Sequence, residues 1–383
     1  LSDEGAVLRR LLGEAVPQVE DPDRCRGGLR LLADHPEVAE RLCSYVTAFQ
    51  KDLAQNSRPA AFVDNPKPLQ VPSIAAGLSA SAQAEIETLK TTYSAAKGIG
   101  VEEGVMRRDP SDIIKVGDLY YVWYSKGKIA PGYDATVWYA TSPDGHTWTE
   151  QGMALAKGEP GSWEGASVFT PNILVAEGRY WLFYTGTSRK FGTGFNPDSK
   201  IGIAMSDSPD GPWERLATNP ALKNSDDPED FDSHLVDDAC LIVREGKYWF
   251  YYKGRQLGKS PAQTKLGVAV SDKPGGPYVK HADNPLLPGN HEVLVWPQGK
   301  GVAAMIGTTG PKEITRSIMY AEDGLHFSKA HNILDVPTAA GAYRPEAFTD
   351  SGTGKRIQWG VHIGKRAGFL PFLERFDLVP CPN

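Results

Sequence analysis

The chain has 383 residues, a formal net charge of −6 and a heavy load of turn formers, 40 Gly and 29 Pro. A hydrophobic share of 40% with 10% aromatics supports a large core and excludes a disordered chain. The acidic balance excludes a general polyanion binder, so nucleic acid is not an expected partner, and no run of about 18 apolar residues marks a membrane span.

The numbered chain begins at Leu1 rather than Met, which fits a processed N-terminus and a periplasmic or secreted protein, with a cytoplasmic location left open. Cys25, Cys43, Cys240 and Cys381 form no CxxC pair, so a zinc cluster is not expected. Cys25 and Cys43 flank one helical stretch and either pair or stay free.

Residues 1–96 read as a helical N-terminal region. Asp34 and Pro36 resemble a helix start, and Val38, Leu42, Val46, Phe49 and Leu53 follow at spacings of three and four. A shorter helix is expected from about Ser81, with Ile86, Leu89 and Tyr93 on one face. Between them lies a Pro-rich arm, Arg58-Pro-Ala-Ala-Phe-Val-Asp-Asn-Pro-Lys-Pro68, whose prolines deny it helix or central strand. Such an arm is a linker or lies across another surface, a second subunit included.

From about Gly98 the texture changes to short apolar and aromatic runs between Gly and Asp turns. The runs repeat. Gly117-Asp-Leu-Tyr-Tyr-Val-Trp-Tyr124 is echoed by Gly178-Arg-Tyr-Trp-Leu-Phe-Tyr184 and Gly246-Lys-Tyr-Trp-Phe-Tyr-Tyr252. Matching turn glycines fall at 145, 211, 276 and 324, and a divergent last unit holds Arg356-Ile-Gln-Trp-Gly-Val361. Each unit carries about four strand-length runs, and one such sheet cannot cover its own apolar faces. The pattern predicts an all-β protein, a five-bladed β-propeller over 97–383 with an N-terminal helical extension. A β-sandwich leaves the periodic turn unexplained.

Aligning the units on that turn compares the runs that precede it. They read Arg108-Asp109-Pro110, Phe169-Thr170-Pro171, Asp237-Asp238-Ala239, His291-Glu292-Val293 and Pro345-Glu346-Ala347. Innermost propeller strands converge on one mouth, so Asp109, Asp238, Glu292 and Glu346 would share it. Clustered carboxylates repel and need a compensating function or cation. Glycoside hydrolysis uses such a set, one group activating water and another protonating the leaving oxygen. A bound cation, or ion pairs to Arg107, Arg108 and Arg344, is the plainer reading. His291 has the ordinary pKa of a proton donor near neutrality. His234 either lines the site, binds a cation or makes a plain hydrogen bond. Trp163, Trp296 and Tyr343 are candidate sugar-stacking platforms, with core packing the commoner role of such rings.

Glu102-Glu-Gly-Val-Met-Arg-Arg-Asp-Pro-Ser-Asp112, Val168-Phe-Thr-Pro-Asn172, Asp230-Phe-Asp-Ser-His234 and Gly289-Asn-His-Glu-Val-Leu-Val-Trp-Pro297 together resemble glycoside hydrolase family 117, over about residues 98–345. These are the α-1,3-neoagarooligosaccharide hydrolases, or 3,6-anhydro-α-L-galactosidases. The resemblance implies an inverting, exo-acting enzyme that takes an oligosaccharide. It implies Asp109 as general base, Asp238 as the residue that positions or tunes the acid, and the acid on the His291-Glu292 segment. Arg108, Thr170, His234, Arg344 and Glu346 fall among the expected substrate-binding residues. It also implies a homodimer that exchanges N-terminal helices. No cofactor is required for the chemistry, and a divalent cation near the site is a property of some members. Asp238-Ala-Cys240 stands where the family pattern has Asp-Pro-Cys, a mild change since Pro is not the chemical group, while the region before Leu69, longer than and unlike the family's, suggests a divergent subfamily.

Overall fold

The computed structural model describes residues 88–129, 133–189, 199–288, 293–344 and 357–381. The first N-terminal helix, the Pro-rich arm, Cys25 and Cys43 lie outside the described residues, as do His291, Glu292 and Glu346. Every regular element described is a strand except a short 3-10 turn at Pro261–Gln263.

The strand that opens the described chain, Thr88–Ala95 (β1), pairs with the end of the chain and is taken up below. Met106–Arg108 (β2), Ile114–Val116 (β3), Leu119–Ile129 (β4), Tyr133–Ser142 (β5) and Thr149–Leu155 (β6) form one antiparallel meander. Ser167–Ala176 (β7), Arg179–Thr187 (β8), Ser199–Ser206 (β9) and Glu214–Arg215 (β10) form the next. Leu235–Arg244 (β11), Lys247–Arg255 (β12), Lys265–Ser271 (β13), Val279–Lys280 (β14) and Leu287–Pro288 (β15) follow. Then come Val295–Gln298 (β16), Gly301–Ile306 (β17), Ser317–Ala321 (β18) and Ser328–Leu334 (β19). The last meander takes Gly341–Ala342 (β20), Trp359–Gly364 (β21) and Phe372–Pro380 (β22), and β1 from the other end of the described chain completes it.

The repeated runs become β4, β8 and β12. Two-residue turns lead into the latter two. Glu177 and Gly178 have φ of 55° and 72°, and Glu245 and Gly246 have 54° and 68°. Two successive left-handed residues match the right-handed twist of a hairpin, and Gly takes the second place without strain.

The core lies between successive meanders. Trp123 and Val137 of the first pack on Ile173, Leu182 and Tyr184 of the second. Phe183 and Ile203 meet Leu241, Phe250 and Tyr252. Cys240, Tyr251 and Val268 meet Val302, Ile306 and Met319. Trp296, Met305 and Ile318 meet Leu89, Phe376 and Leu378. The circuit returns where Val361 and Leu373 pack on Ile113, Val122, Tyr124 and Trp148. Each sheet thus covers its apolar faces with the sheets before and after it, which one such sheet cannot do alone.

One expectation is overturned. The segment around Leu89 and Tyr93 is not a helix but the strand β1, paired with β22 through Leu89↔Pro380 to Ala95↔Glu374 and with β19 through Thr88↔Asn332 to Lys90↔Leu334. Thr88, Thr91, Thr92 and Tyr93 are β-branched or aromatic and favour the pleated surface. Leu89 and Thr91 are buried while Lys90 is exposed, a period of two rather than 3.6. The strand β1 therefore belongs to the same compact unit as the strands that follow it. Among the described residues no helix is long and apolar enough to cross a membrane.

Candidate active site

Three of the aligned positions share a backbone state. Asp109, Thr170 and Asp238 have φ of 50°, 43° and 52°. A non-Gly residue in this region costs energy and persists where the surroundings hold it there. In β7 and β11 the ladder register slips at this point, between Phe169 and Asn172 and between Asp237 and Cys240. Each slip is a β-bulge, which re-aims a side chain. All three residues border one small open recess of about 30 Å³, together with Asn172, Val293 and Ala339. The structure so brings together Asp109, Thr170 and Asp238, as the repeat phase expects. Val293, the residue after Glu292, borders the same recess.

The chemistry below the recess is organised by the strand that follows each bulge. Ser125, Thr185 and Lys253 occupy equivalent places, each one residue after the repeated Tyr124, Tyr184 and Tyr252. Ser125 Oγ accepts the Thr170 N–H at 2.9 Å. Thr185 donates its hydroxyl to Asp237 Oδ1 at 2.5 Å, and Thr170 donates to the same oxygen at 2.8 Å. Lys253 Nζ lies 2.7 Å from Asp238 and 3.4 Å from Asp237, with the Lys253 and Asp237 side chains 7% and 6% exposed. Burial alone pushes the Asp237 carboxyl up, but the Lys253 ammonium and the two Thr hydroxyls outweigh it and hold that group below the usual carboxylate range. Asp237 is thus an anion at neutral pH, and its charge faces Asp238 across a single shared cation.

Ion pairs to the expected arginines are present in part. Arg108 Nε lies 2.9 Å and 3.1 Å from the two oxygens of Asp109. Arg107 turns to Glu102 and Glu150 instead, at 2.5 Å and 2.9 Å. Arg344, expected among the substrate-binding residues, is buried and ion-paired to Asp112. Its guanidinium also donates to the carbonyls of Val295 at 2.6 Å and Leu241 at 3.1 Å.

The aromatic candidates all take packing roles, the commoner one for such rings. Trp296 is 1% exposed and sits in the core, its Nε1–H donating to Gln298. Tyr343 packs edge-on against Tyr120 at 5.2 Å and tilted on Trp359 at 5.3 Å, in the seam between the last and first meanders. Trp163 stacks on Tyr184 at 6.1 Å and covers Gly186 and Gly202. Phe231 covers Gly254 and Gly267 in the same way one meander later. A ring that recurs over equivalent glycines is a packing device. His234 stands half-buried at the head of β11, its backbone N–H donating to the Arg255 carbonyl at 3.1 Å.

Asp112, Asn172, Asp237 and Lys253 were missed as site-building residues. Among the described residues no group of three or more His, Cys, Asp or Glu is arranged to hold a metal. Lys253 fills the place between Asp237 and Asp238 that a cation would take.

Comparison with known proteins bears on the whole arrangement. Residues 101–240 match the profile of glycosyl hydrolases family 43. An extracellular endo-α-(1→5)-L-arabinanase of Thermotoga petrophila is 28% identical over 211 residues, 49% of this chain and 41% of the arabinanase. The chain therefore spans about two fifths of the length of that curated relative. Among solved structures, Zg3597, a family 117 glycoside hydrolase produced by the marine bacterium Zobellia galactanivorans, is 31% identical with a TM-score of 0.69, over 76% of this chain and 90% of that one. Sucrose-6-phosphate hydrolase from Lactobacillus gasseri shares the fold at 13% identity, with a TM-score of 0.55 over 74% of this chain and 60% of that one. Fold and similarities define a propeller-type glycoside hydrolase. The chain belongs to glycoside hydrolase family 117.

Proposed function

We propose that this protein is an exo-acting, inverting glycosidase that removes a terminal α-linked sugar of the 3,6-anhydro-L-galactose type from algal oligosaccharides. On this reading its meanders are the five blades of a propeller. The observation that carries the proposal is the convergence of Asp109, Thr170 and Asp238, each in a left-handed backbone state, around one recess.

In an inverting reaction one carboxylate takes a proton from water as the water attacks the anomeric carbon. An acid protonates the departing glycosidic oxygen from the other side. Asp109 is the base. Arg108 beside it holds its carboxylate in place through both oxygens. The acid comes from the segment just before Val293, with His291 the preferred donor and Glu292 holding the sugar or the imidazole. Asp238, held by Lys253, tunes and positions that acid. Glu346 and Thr170 complete the sugar's polar surroundings. The two carboxyl-bearing sides should stand roughly 6.5–9.5 Å apart, leaving room for water. The N-terminal region is read as a dimerisation arm. Removal of residues 1–81 should then convert a dimer to monomers in sedimentation.

The test is turnover of neoagarooligosaccharides, with the product anomer read by NMR. Wild type should release the inverted anomer. Asp109→Asn should lose about 10²–10⁴-fold in kcat, the usual worth of a positioned base. Retained turnover in that variant overturns the assignment. The arabinanase similarity favours a second reading, a furanosidase, which predicts release of arabinose from arabinan oligosaccharides instead. Binding of glycans with no turnover of any would leave a carbohydrate-binding propeller.

A further inference from the structure

A second hollow lies directly beside the catalytic recess. It is an open groove of about 350 Å³, floored by Leu294, Met305 and Ile363 and edged by Thr308, Thr309 and Thr338. Ala340 borders both hollows, and Arg108, whose guanidinium holds Asp109, belongs to the groove. The partition between them is the segment 336–340. It is small in side chain, carries Ala339 at a φ of 44°, and is pinned to β21 by the Ile363 N–H donating to the Thr338 carbonyl at 3.0 Å. A substrate held in the recess at Asp109 can thus run on into the groove.

The charge of the groove is its distinctive property. Its described lining holds two cations, Arg108 and Lys365, and no carboxylate, in a chain whose net charge is −6. Arg108 is committed to Asp109. Lys365, the first residue beyond β21, pairs with no described residue and stands exposed at the groove's edge. Around it are Thr hydroxyls and apolar surface, which suit the ring of a sugar. An ammonium at that edge suits an anion carried on the ring.

We infer that the groove is the subsite for the sugar on the leaving-group side, and that it takes a sugar bearing an anionic substituent, with Lys365 as the residue that reads the charge. This rests on the glycosidase reading, which places the scissile bond at Asp109. The shared chemistry is an oxyanion on a pyranose, either a sulfate ester or a uronic carboxylate. Attraction of this kind adds rate and discrimination more than raw affinity and weakens with salt.

The experiment uses the full-length protein and matched substrates: a sulfated galactan oligosaccharide, its chemically desulfated counterpart, and a uronate-bearing oligosaccharide of the same length. Wild type should show a kcat/KM about tenfold higher on one anionic member than on the neutral one, a margin typical of one charge-assisted contact. Raising salt from about 0.05 to 0.5 M should erase most of it, since screening shortens from over 10 Å to a few ångströms. Lys365→Gln should remove the preference through KM while leaving kcat/KM on the neutral member within about twofold. Whichever anion carries the preference identifies the source. Calorimetry of the same panel on wild type and Lys365→Gln separates the two claims. Preferential binding of an anionic member that depends on Lys365, with no turnover, supports the subsite and sinks the glycosidase reading. Turnover with equal preference sinks the subsite and leaves the glycosidase. Equal or absent binding of all members, or a Lys365→Gln loss equal on both charge classes, overturns the inference.

Discussion

Asp237, Asp238 and Lys253 pose the sharpest energetic question at the scale of the residue. Two carboxylates and one ammonium, all nearly excluded from water, are stable only as a set, because a buried charge left without its partner is strongly destabilising. Lys253→Met leaves two like charges facing each other, and each then raises the other's pKa. The folded-state pKa of Asp237 is depressed in the native protein. Its contribution to stability is therefore full above the unfolded value of about 4 and is lost as pH falls through the lower folded value. Without Lys253 that depression is removed, so stability should begin to fall at a higher pH. The acid limb of the pH–rate profile should move upward with it, and kcat should fall at neutrality. Lys253→Arg keeps the charge and should recover part of the loss. Thermal melts and rate profiles from about pH 4 to 9 on the variant pair check this. An unmoved acid limb would mean that Asp238 has no part in tuning the acid.

At the scale of the element, the legible and illegible parts of the sequence separate by cause. The strands β4, β8 and β12 were plain because the same Gly-x-Tyr-aromatic pattern recurs and each copy meets a similar seam. The recess was legible because repeat phase puts equivalent residues at equivalent left-handed positions, so an alignment of five short runs brought out Asp109, Thr170 and Asp238 without coordinates. β1 was misread because Leu89 and Tyr93 also satisfy a helical spacing, and only its neighbours β19 and β22 decide the matter. Local pattern loses to tertiary context where two flanking strands offer a ladder on both sides. The aromatic candidates are ambiguous for a related reason. Trp296 and Tyr343 serve seams between sheets, and a seam ring is indistinguishable in sequence from a sugar-stacking ring. Lys253 went unnoticed because a lone Lys in a strand usually reads as an exposed residue. Its place after Tyr252, matching Thr185 and Ser125, was the usable signal.

At the scale of the whole molecule, one buried pair links the meanders to one another. Asp112 Oδ1 accepts the Ala342 N–H of β20 at 3.2 Å, and Cys240 Sγ of β11 lies 3.7 Å from Oδ2. Asn172 of β7 accepts the Asp112 N–H at 3.2 Å and donates to the Ala239 carbonyl at 2.7 Å. Arg344 binds Asp112 and the carbonyls of Leu241 and Val295. Burial, with Asp112 nearby, pushes the Cys240 thiol up to about 12, so this cysteine is a protonated strut rather than a reactive thiolate. Strands from every meander thus meet at a single hydrogen-bonded node beneath the recess. Arg344→Met should cost about 3–5 kcal/mol, since it strands a buried carboxylate. At roughly 2–4 °C per kcal/mol for a domain of this size, the melting temperature should drop by about 10 °C. Adding Asp112→Leu removes the stranded charge and should return a good part of that loss. A substrate-contacting arginine predicts the opposite pattern, a raised KM with an unchanged melting temperature. Calorimetric melts alongside KM on the two variants therefore decide whether Arg344 holds the ring together or holds the sugar.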